Sequence, residues 1–360
     1  MDQENIFSDL TVVELSSVLA GPAVGMFFAE LGAKVIKIEN AATNGDVTRH
    51  WKTKGDDPSN PLSAYYYSVN WNKETHLLDL NIEVDHAKVL NWIRTADIVV
   101  SNFKIGSAEK IGMDYQSLKT INSRLIYAQV TAYGDDNTKP GFDVSMQAET
   151  GWVYMNGNPD GPPTKMPVAL IDILAAHQLK EGILVALMQR MKTGKGSKVS
   201  VSLFDSSIAS LANQASNWLN LKKLPERLGS AHPNIAPYGD IVTTKDGVQI
   251  MITSGTEQHF AKLCSFLDLP ELIKNPKFSL NIDRVKNRKE LIIILSNRVL
   301  EYSFSELKEK DEELKSVMVP IQSLKQVFEY DQAKKLVLTS EEEDGTISKR
   351  VKTAVFRISH

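Results

Sequence analysis

Residues 10–38 limit the possible fold more than any other stretch of this 360-residue chain. Residues 10–15 (L-T-V-V-E-L) read as a short apolar strand, and a turn follows at 16–22. Pro22 suits the first position of a helix. Residues 23–31 (A-V-G-M-F-F-A-E-L) are apolar all round, which predicts a buried helix. Gly32 ends it, and residues 33–38 (A-K-V-I-K-I) read as a second strand. Two strands joined by such a crossover lie parallel in one sheet. The alternation continues with strands at 76–80, 98–103, 125–130 and 198–203, and with helices at 84–95 and 115–121. This pattern predicts an α/β fold with a Rossmann-like open, mostly parallel sheet. Glu39 follows the second strand, where a dinucleotide fold places its ribose-binding acid. The first turn reads S-S-V-L-A-G-P-A-V-G rather than G-x-G-x-x-G, so NAD binding is a weak alternative.

The character of the chain changes after residue 209. A helical stretch runs to 221, and 222–237 is irregular. Residues 240–253 read as a β-hairpin turning at Lys245-Asp246-Gly247. Helices are expected at 257–267, 287–299 and 303–314. We therefore expect a large domain over 1–224, completed by 316–360, and a small α+β domain over 225–315. The tail should carry a helix, an acidic turn at 341–345 and a final strand at 351–358.

The totals exclude several classes. A chain with 42% hydrophobic and 24% charged residues is an ordinary globular one. A net charge of −3 provides no global field toward nucleic acid or an anionic membrane. Cys264 is the only cysteine, so no internal disulfide or cysteine-based metal site is expected, and no metal is assigned. Residues 1–9 are polar and acidic, unlike a secretory signal, and no apolar run reaches the ~18 residues of a membrane span. These features predict a cytoplasmic protein.

Residues 157–196 hold the chemistry. Gly157, Pro159, Gly161, Pro162 and Pro163 make a turn-rich opening. The apolar residues 168–171 follow, then Asp172, then a helix marked by Leu179, Ile183 and Leu187 at four-residue steps. A basic last turn (Arg190, Lys192) and Gly194 close it. Asp172 thus stands at a helix N-terminus. It could simply cap the helix. It could instead be a partly buried carboxylate poised as nucleophile or base, with the helix N–H groups stabilising an oxyanion on its partner.

Several motifs together resemble class III CoA-transferases, the family of formyl-CoA transferase and carnitine CoA-transferase, to which α-methylacyl-CoA racemase is related. They are A-G-P-A-V-G-M-F-F-A-E-L-G-A-K-V-I-K-I-E (20–39), G-D-V-T-R (45–49), N-W-N-K-E-T-H-L-L-D-L (70–80), A-D-I-V-V-S-N-F-K-I-G-S-A-E-K-I-G-M-D-Y (96–115), N-S-R-L-I-Y-A-Q-V-T-A-Y-G (122–134), G-F-D-V-S-M-Q-A-E-T-G (141–151), G-P-P-T-K-M-P-V-A-L-I-D-I-L-A-A (161–176) and K-T-G-K-G-S-K-V-S-V-S-L-F-D (192–205). A weaker echo is G-S-A-H-P-N-I-A-P-Y (229–238). Each motif is weak alone; their order and spacing over most of the chain are specific.

The resemblance implies that Asp172 is a nucleophile carrying CoA covalently from a donor acyl-CoA to an acceptor acid. Coenzyme A and acyl-CoA are then substrates, with no permanently bound cofactor. It implies CoA contacts at Val18, Ala20, Asn40, Leu78, Asn81, Asn102, Phe103, Lys104 and Lys110, with Arg49 and Lys73 as further phosphate cations. Asn102 and Phe103 could equally be a plain strand end, and Lys110 a solvated helix residue. Asp143 matches a family carboxylate that orients the nucleophile, or it is a turn residue. The family forms interlocked homodimers, so the same assembly is expected, with no nucleic-acid or membrane partner.

Departures from the family pattern narrow the substrate. Formyl-CoA transferase has glutamine at the Leu19 position and arginine at the Asn40 position, and Lys110 replaces another basic residue. Its glycine-rich loop is not recognisable here, so oxalate and formate are poor candidates. Met146, Trp152, Tyr154 and Met155 permit a larger acyl group. A 2-methylacyl-CoA racemase is the alternative, but it needs histidine where this chain has Phe142, and a phenyl ring carries no proton. His177 is not a matching substitute. A CoA-binding protein without turnover would not need Asp172 in its full setting.

Overall fold

The computed structural model describes residues 5–310, 317–342 and 345–359. The chain divides into two compact units, a larger one of Met1–Trp152, Lys165–Lys223 and Gln332–His360, and a smaller one of Val153–Thr164 and Leu224–Asp331.

The larger unit is built on six strands: β1 (Thr11–Leu15), β2 (Lys34–Asn40), β3 (Glu74–Leu78), β4 (Ile98–Ser101), β5 (Ile126–Thr131) and β6 (Ser197–Ser202). All their pairings are parallel, in the order β3-β2-β1-β4-β5-β6. Their helices in chain order are α1 (Ala20–Glu30), α2 (Ala64–Tyr67), α3 (Glu83–Ile93), α4 (Ser107–Lys110), α5 (Tyr115–Ile121), α6 (Asp143–Glu149), α7 (Trp152–Met155), α8 (Leu170–Thr193), α9 (Leu203–Ala209) and α10 (Ala212–Leu221). Strand side chains alternate between faces. Val12, Val35, Ile98 and Ile126 point to one side and pack with Phe28 of α1 and Leu179 and Ile183 of α8. Val13, Ile36, Val99 and Tyr127 point to the other and meet Val89 and Ile93 of α3 and Leu118 of α5. Burying each large apolar side chain stabilises by ~1.5–3 kcal/mol. The strand order reverses between β1 and β4, and there a crevice opens beyond the strand C-termini.

A set of charges is buried under this crevice. The Lys37 ammonium of β2 lies 2.8 Å from Glu14 Oε1 of β1 and 3.3 Å from Asp46 Oδ2, with no solvent access to any of the three side chains. It also donates to Ser16 O at 2.9 Å. Burial alone would lower the Lys37 pKa, but the two carboxylates more than offset it and the net shift is upward. Asp46 in turn accepts from the backbone N–H of Val18 at 3.1 Å, which holds the turn after β1 with Val18 at φ 71°. The second Glu14 oxygen meets Lys73 at 2.8 Å. Helix α1 lies so close over β1 that a methyl group on Gly25 would run into Glu14 Oε2.

The later part of this unit needs one correction. The helical stretch expected up to 221 is α10, and a separate helix, α9, precedes it directly after β6, where Ser202 accepts the Asp205 N–H as its N-cap. The final strand is not 351–358. Strands β10 (Val337–Glu341) and β11 (Ile347–Val351) pair antiparallel instead. Beyond them Thr353 and Ala354 donate their N–H groups to the buried Glu30 carboxylate of α1, at 2.9 and 2.6 Å. A side chain takes the donors that a strand partner would have used. Part of the expected acidic turn, Glu343 and Asp344, lies outside the described residues.

The smaller unit holds β7 (Tyr238–Thr243), β8 (Gln249–Thr253) and β9 (Met318–Pro320) in one antiparallel sheet. Helices α11 (Glu257–Phe266), α12 (Glu271–Lys274), α13 (Asn281–Lys286), α14 (Arg288–Val299) and α15 (Phe304–Lys310) accompany it. The expected 225–315 span is shorter than this unit, whose sheet takes a third strand from beyond 315. The expected helix at 303–314 is described as far as Lys310; the rest lies outside the described residues. Among the described residues, no helix is long and apolar enough to cross a membrane.

Candidate active site

Asp172 is the third residue of α8 and is 8% exposed. It does not cap its own helix. The N-cap is Ala169, which has no side-chain hydrogen bond. Asp143, the first residue of α6, caps α8 from a distance: its Oδ1 accepts from Ile171 N at 2.7 Å and Asp172 N at 3.3 Å. These are two of the helix's four otherwise unpaired first-turn donors. Gln147, fully buried, fixes Asp143 by donating from Nε2 to Oδ2 at 2.6 Å. Its Oε1 accepts from Met166 N at 2.8 Å, which anchors the loop into α8.

The Asp172 carboxylate is left without such support. Among the described residues, none donates a hydrogen bond to it. Burial, and then the neighbouring Asp143 charge, push its carboxyl up to about 7. Near neutral pH it is therefore both partly ionised and more basic than an ordinary aspartate, which suits a nucleophile. Tyr65 of α2 also senses this charge. Burial and the charges of Asp172, Asp143 and Asp46 raise its phenol to about 12, so it stays protonated. Its ring lies against Trp51, centroids 5.2 Å apart.

Two cavities meet here. The first, about 250 Å³, is lined by Val18, Leu19, Ala20, Phe142, Asp143 and Asp172, among others. The N-terminus of α1 opens into it, with first-turn N–H groups that have no intrahelical acceptor. The second, about 630 Å³, lies along the C-terminal ends of β1, β2 and β3 and includes Asn40, Leu78 and Asn81. Ser17, Asn102, Phe103 and Lys104 line both, so the cavities adjoin at the switch between β1 and β4. Asn102 fastens the two strand ends, accepting from Ser17 N at 3.2 Å and donating to Ser17 O at 2.8 Å.

Eight of the residues singled out from sequence for CoA thus line one or both cavities: Val18, Ala20, Asn40, Leu78, Asn81, Asn102, Phe103 and Lys104. Three do not. Lys73 is wholly inside the protein, bound to Glu14, Pro22 O and Asn70, and burial pulls it down to about 8. It cannot face a phosphate. Arg49 stands behind the cavity wall, its Nε 2.6 Å from Glu39 and its Nη2 donating to Tyr66 at 3.1 Å. Lys110 is exposed on α4 and lines neither cavity. Met146, expected to widen the acyl site, is fully buried in the core, and His177 lines neither cavity. Sequence reading also missed Tyr65, whose signal is the aromatic run at 65–67 ahead of N-W-N-K, and Gln147, whose signal is only its place one helical turn after Asp143.

Comparison with known proteins places this geometry among related chains. A family model described as CoA-transferase family III matches residues 7–360. The chain is 36% identical over 356 residues to succinate–glutarate CoA-transferase of Agrobacterium fabrum, covering 97% of this chain and 88% of that protein. It is 35% identical over 353 residues to human succinyl-CoA:glutarate CoA-transferase, covering 97% and 79%. A solved CAIB/BAIF family protein from Brucella suis superposes with a TM-score of 0.83 at 35% identity, covering 99% of this chain and 93% of that one.

Proposed function

Since the chain belongs to CoA-transferase family III, we propose that it moves CoA from an acyl-CoA donor to a carboxylic acid through a covalent intermediate on Asp172. The observation that carries this reading is the Asp172 carboxylate, buried, without hydrogen-bond donors among the described residues and raised to about 7, in the wall of the smaller cavity, which adjoins the larger one. The 630 Å³ cavity would hold the nucleotide end of CoA, and the thiol arm would pass Ser17 and Asn102 into the smaller one.

A carboxylate oxygen of Asp172 attacks the thioester carbon, forming a mixed anhydride and releasing CoA thiolate. The thiolate attacks the aspartyl carbon of that anhydride, giving an aspartyl-CoA thioester and freeing the donor acid. The acceptor carboxylate attacks the aspartyl thioester, forming a second anhydride and releasing the thiolate again. Attack of the thiolate on the acceptor's acyl carbon makes the new acyl-CoA and returns Asp172 as carboxylate. No net proton is consumed. The relay replaces one unfavourable exchange by four displacements between held reactants. Asp143 contributes by holding the start of α8 and by raising the basicity of Asp172. The names of the relatives favour short dicarboxylic acids as acceptors. The racemase alternative has no support, because Phe142 occupies the place of the second base.

The test is to quench the protein with an acyl-CoA donor and weigh the peptide that contains Asp172. A CoA-sized adduct removed by hydroxylamine is expected. Absence of any adduct together with deuterium exchange at the α-carbon of a 2-methylacyl-CoA would establish the racemase instead.

An interlocked homodimer is part of the proposal. Val185, Met188 and Met191 of α8 and Leu219 and Leu221 of α10 stand exposed, an apolar surface that a second chain would cover. Interlocked chains have no folded monomer, so sedimentation should show a dimer down to low micromolar concentration. A folded monomer there would contradict it.

A further inference from the structure

We infer that Lys139 selects dicarboxylic acceptors by pairing with the carboxylate remote from the reacting one; the inference rests on the transferase reading above. The cavity beside Asp172 already holds two acidic side chains, Asp172 and Asp143, and among its lining residues the cations are Lys104 and Lys139. A dianionic substrate entering beside two carboxylates needs a counter-charge. Lys104 also lines the larger cavity, where the phosphates of CoA would claim it. Lys139 lines only the smaller one, which leaves it for the acyl group.

The ammonium of Lys139 is held at this rim by a built setting. It lies 2.9 Å from each oxygen of Glu149 and 4.5 Å from the centre of the Tyr133 ring. The Tyr133 hydroxyl donates to Glu149 Oε2 at 2.9 Å and so fixes the acid in turn. Lysine has three N–H donors, and Glu149 accounts for two contacts. A substrate carboxylate can displace Glu149, because an exposed ion pair of this kind contributes little by itself. The hydrogen bonds to Tyr133 and Glu149 hold the ammonium in its charged form. The cavity of about 250 Å³ has room for a short diacid.

The experiment competes glutarate against valerate as acceptors in one reaction with one acyl-CoA donor, so that effects on the donor cancel. Wild type is compared with Lys139→Met and Lys139→Arg. Wild type should prefer glutarate. Lys139→Met should lower the glutarate-to-valerate ratio of kcat/KM by tenfold or more, through the KM for glutarate, while Lys139→Arg keeps most of it. The KM for the acyl-CoA and the melting temperature should not move. If both acceptors fall in parallel, or the acyl-CoA KM rises instead, Lys139 serves CoA or the fold and the inference is overturned. An unchanged ratio, or a wild type preferring valerate, also overturns it. A wild type that transfers to neither acid overturns the inference, and one that also forms no CoA adduct on Asp172 refutes the transferase reading itself.

Discussion

Asp172→Asn will lower CoA transfer at least about a thousandfold, leave CoA binding intact, and make the protein more stable than wild type above pH 7. The first effect follows from removing the proposed nucleophile, since an amide cannot replace the carboxylate oxygen in that role. Binding persists because the larger cavity does not include Asp172. The stability effect follows from the raised pKa. Folding moves the Asp172 carboxyl from 3.8 up to about 7. The folded state therefore binds this proton more tightly than the unfolded chain does. Stability from this group is greatest below about pH 4, falls as pH rises between about 4 and 7, and is flat above. The full cost is about 4 kcal/mol. Asparagine carries no such cost, so the stability difference between variant and wild type should grow from pH 4 to pH 7. The same titration makes wild-type kcat/KM rise with pH and level off above about 7. Melting curves of both proteins at pH 4, 6 and 8, with isothermal titration of CoA, check these points. A gap that stays constant with pH would mean that Asp172 is ordinarily acidic, and a variant with wild-type turnover would remove it from the reaction.

Lys37→Met should be the most damaging single change away from Asp172. It leaves Glu14 and Asp46 buried with one cation fewer, and removal of one partner from a buried ion cluster costs ~3–5 kcal/mol. Replacing both Glu14 and Lys37 with apolar residues should be milder than the lysine change alone, and the shortfall measures their coupling. The damage should also reach function. Asp46 would lose its cation and loosen its grip on Val18 N–H, so the walls of the two cavities should shift. Denaturant unfolding of single and double variants, with acyl-CoA KM measured on those that fold, is the check. Strictly additive losses would mean that the lysine and the glutamate act independently.

The parallel sheet was legible because its strands are short apolar runs separated by helical periodicity and glycine, from Leu10 onward. The start of α8 was legible from the Pro and Gly residues before Val168. What lay beyond local pattern was not. The cap of α8 comes from Asp143, 28 positions before Ile171, and no spacing rule links the two. Lys73 sits in a motif with plausible phosphate ligands, yet motif membership does not say which way a side chain points. Its partner Glu14 is on β1, and only the fold brings them together. Strand β9 is three residues long, too short for alternation to register. Lys104 and Lys139, which line the smaller cavity, and the buried Lys37 and Lys73 are alike in sequence and differ in burial.

The Glu30 clamp bears on how the chain is made. The donors that satisfy this carboxylate lie 323 and 324 positions later. At ~5–20 residues per second, a ribosome needs about 15–65 s to reach them after Glu30 is made. For that interval the first helix carries an acid whose native partners do not yet exist. That carboxylate stays without those donors until the last residues emerge, so the end of the chain completes the packing of its beginning.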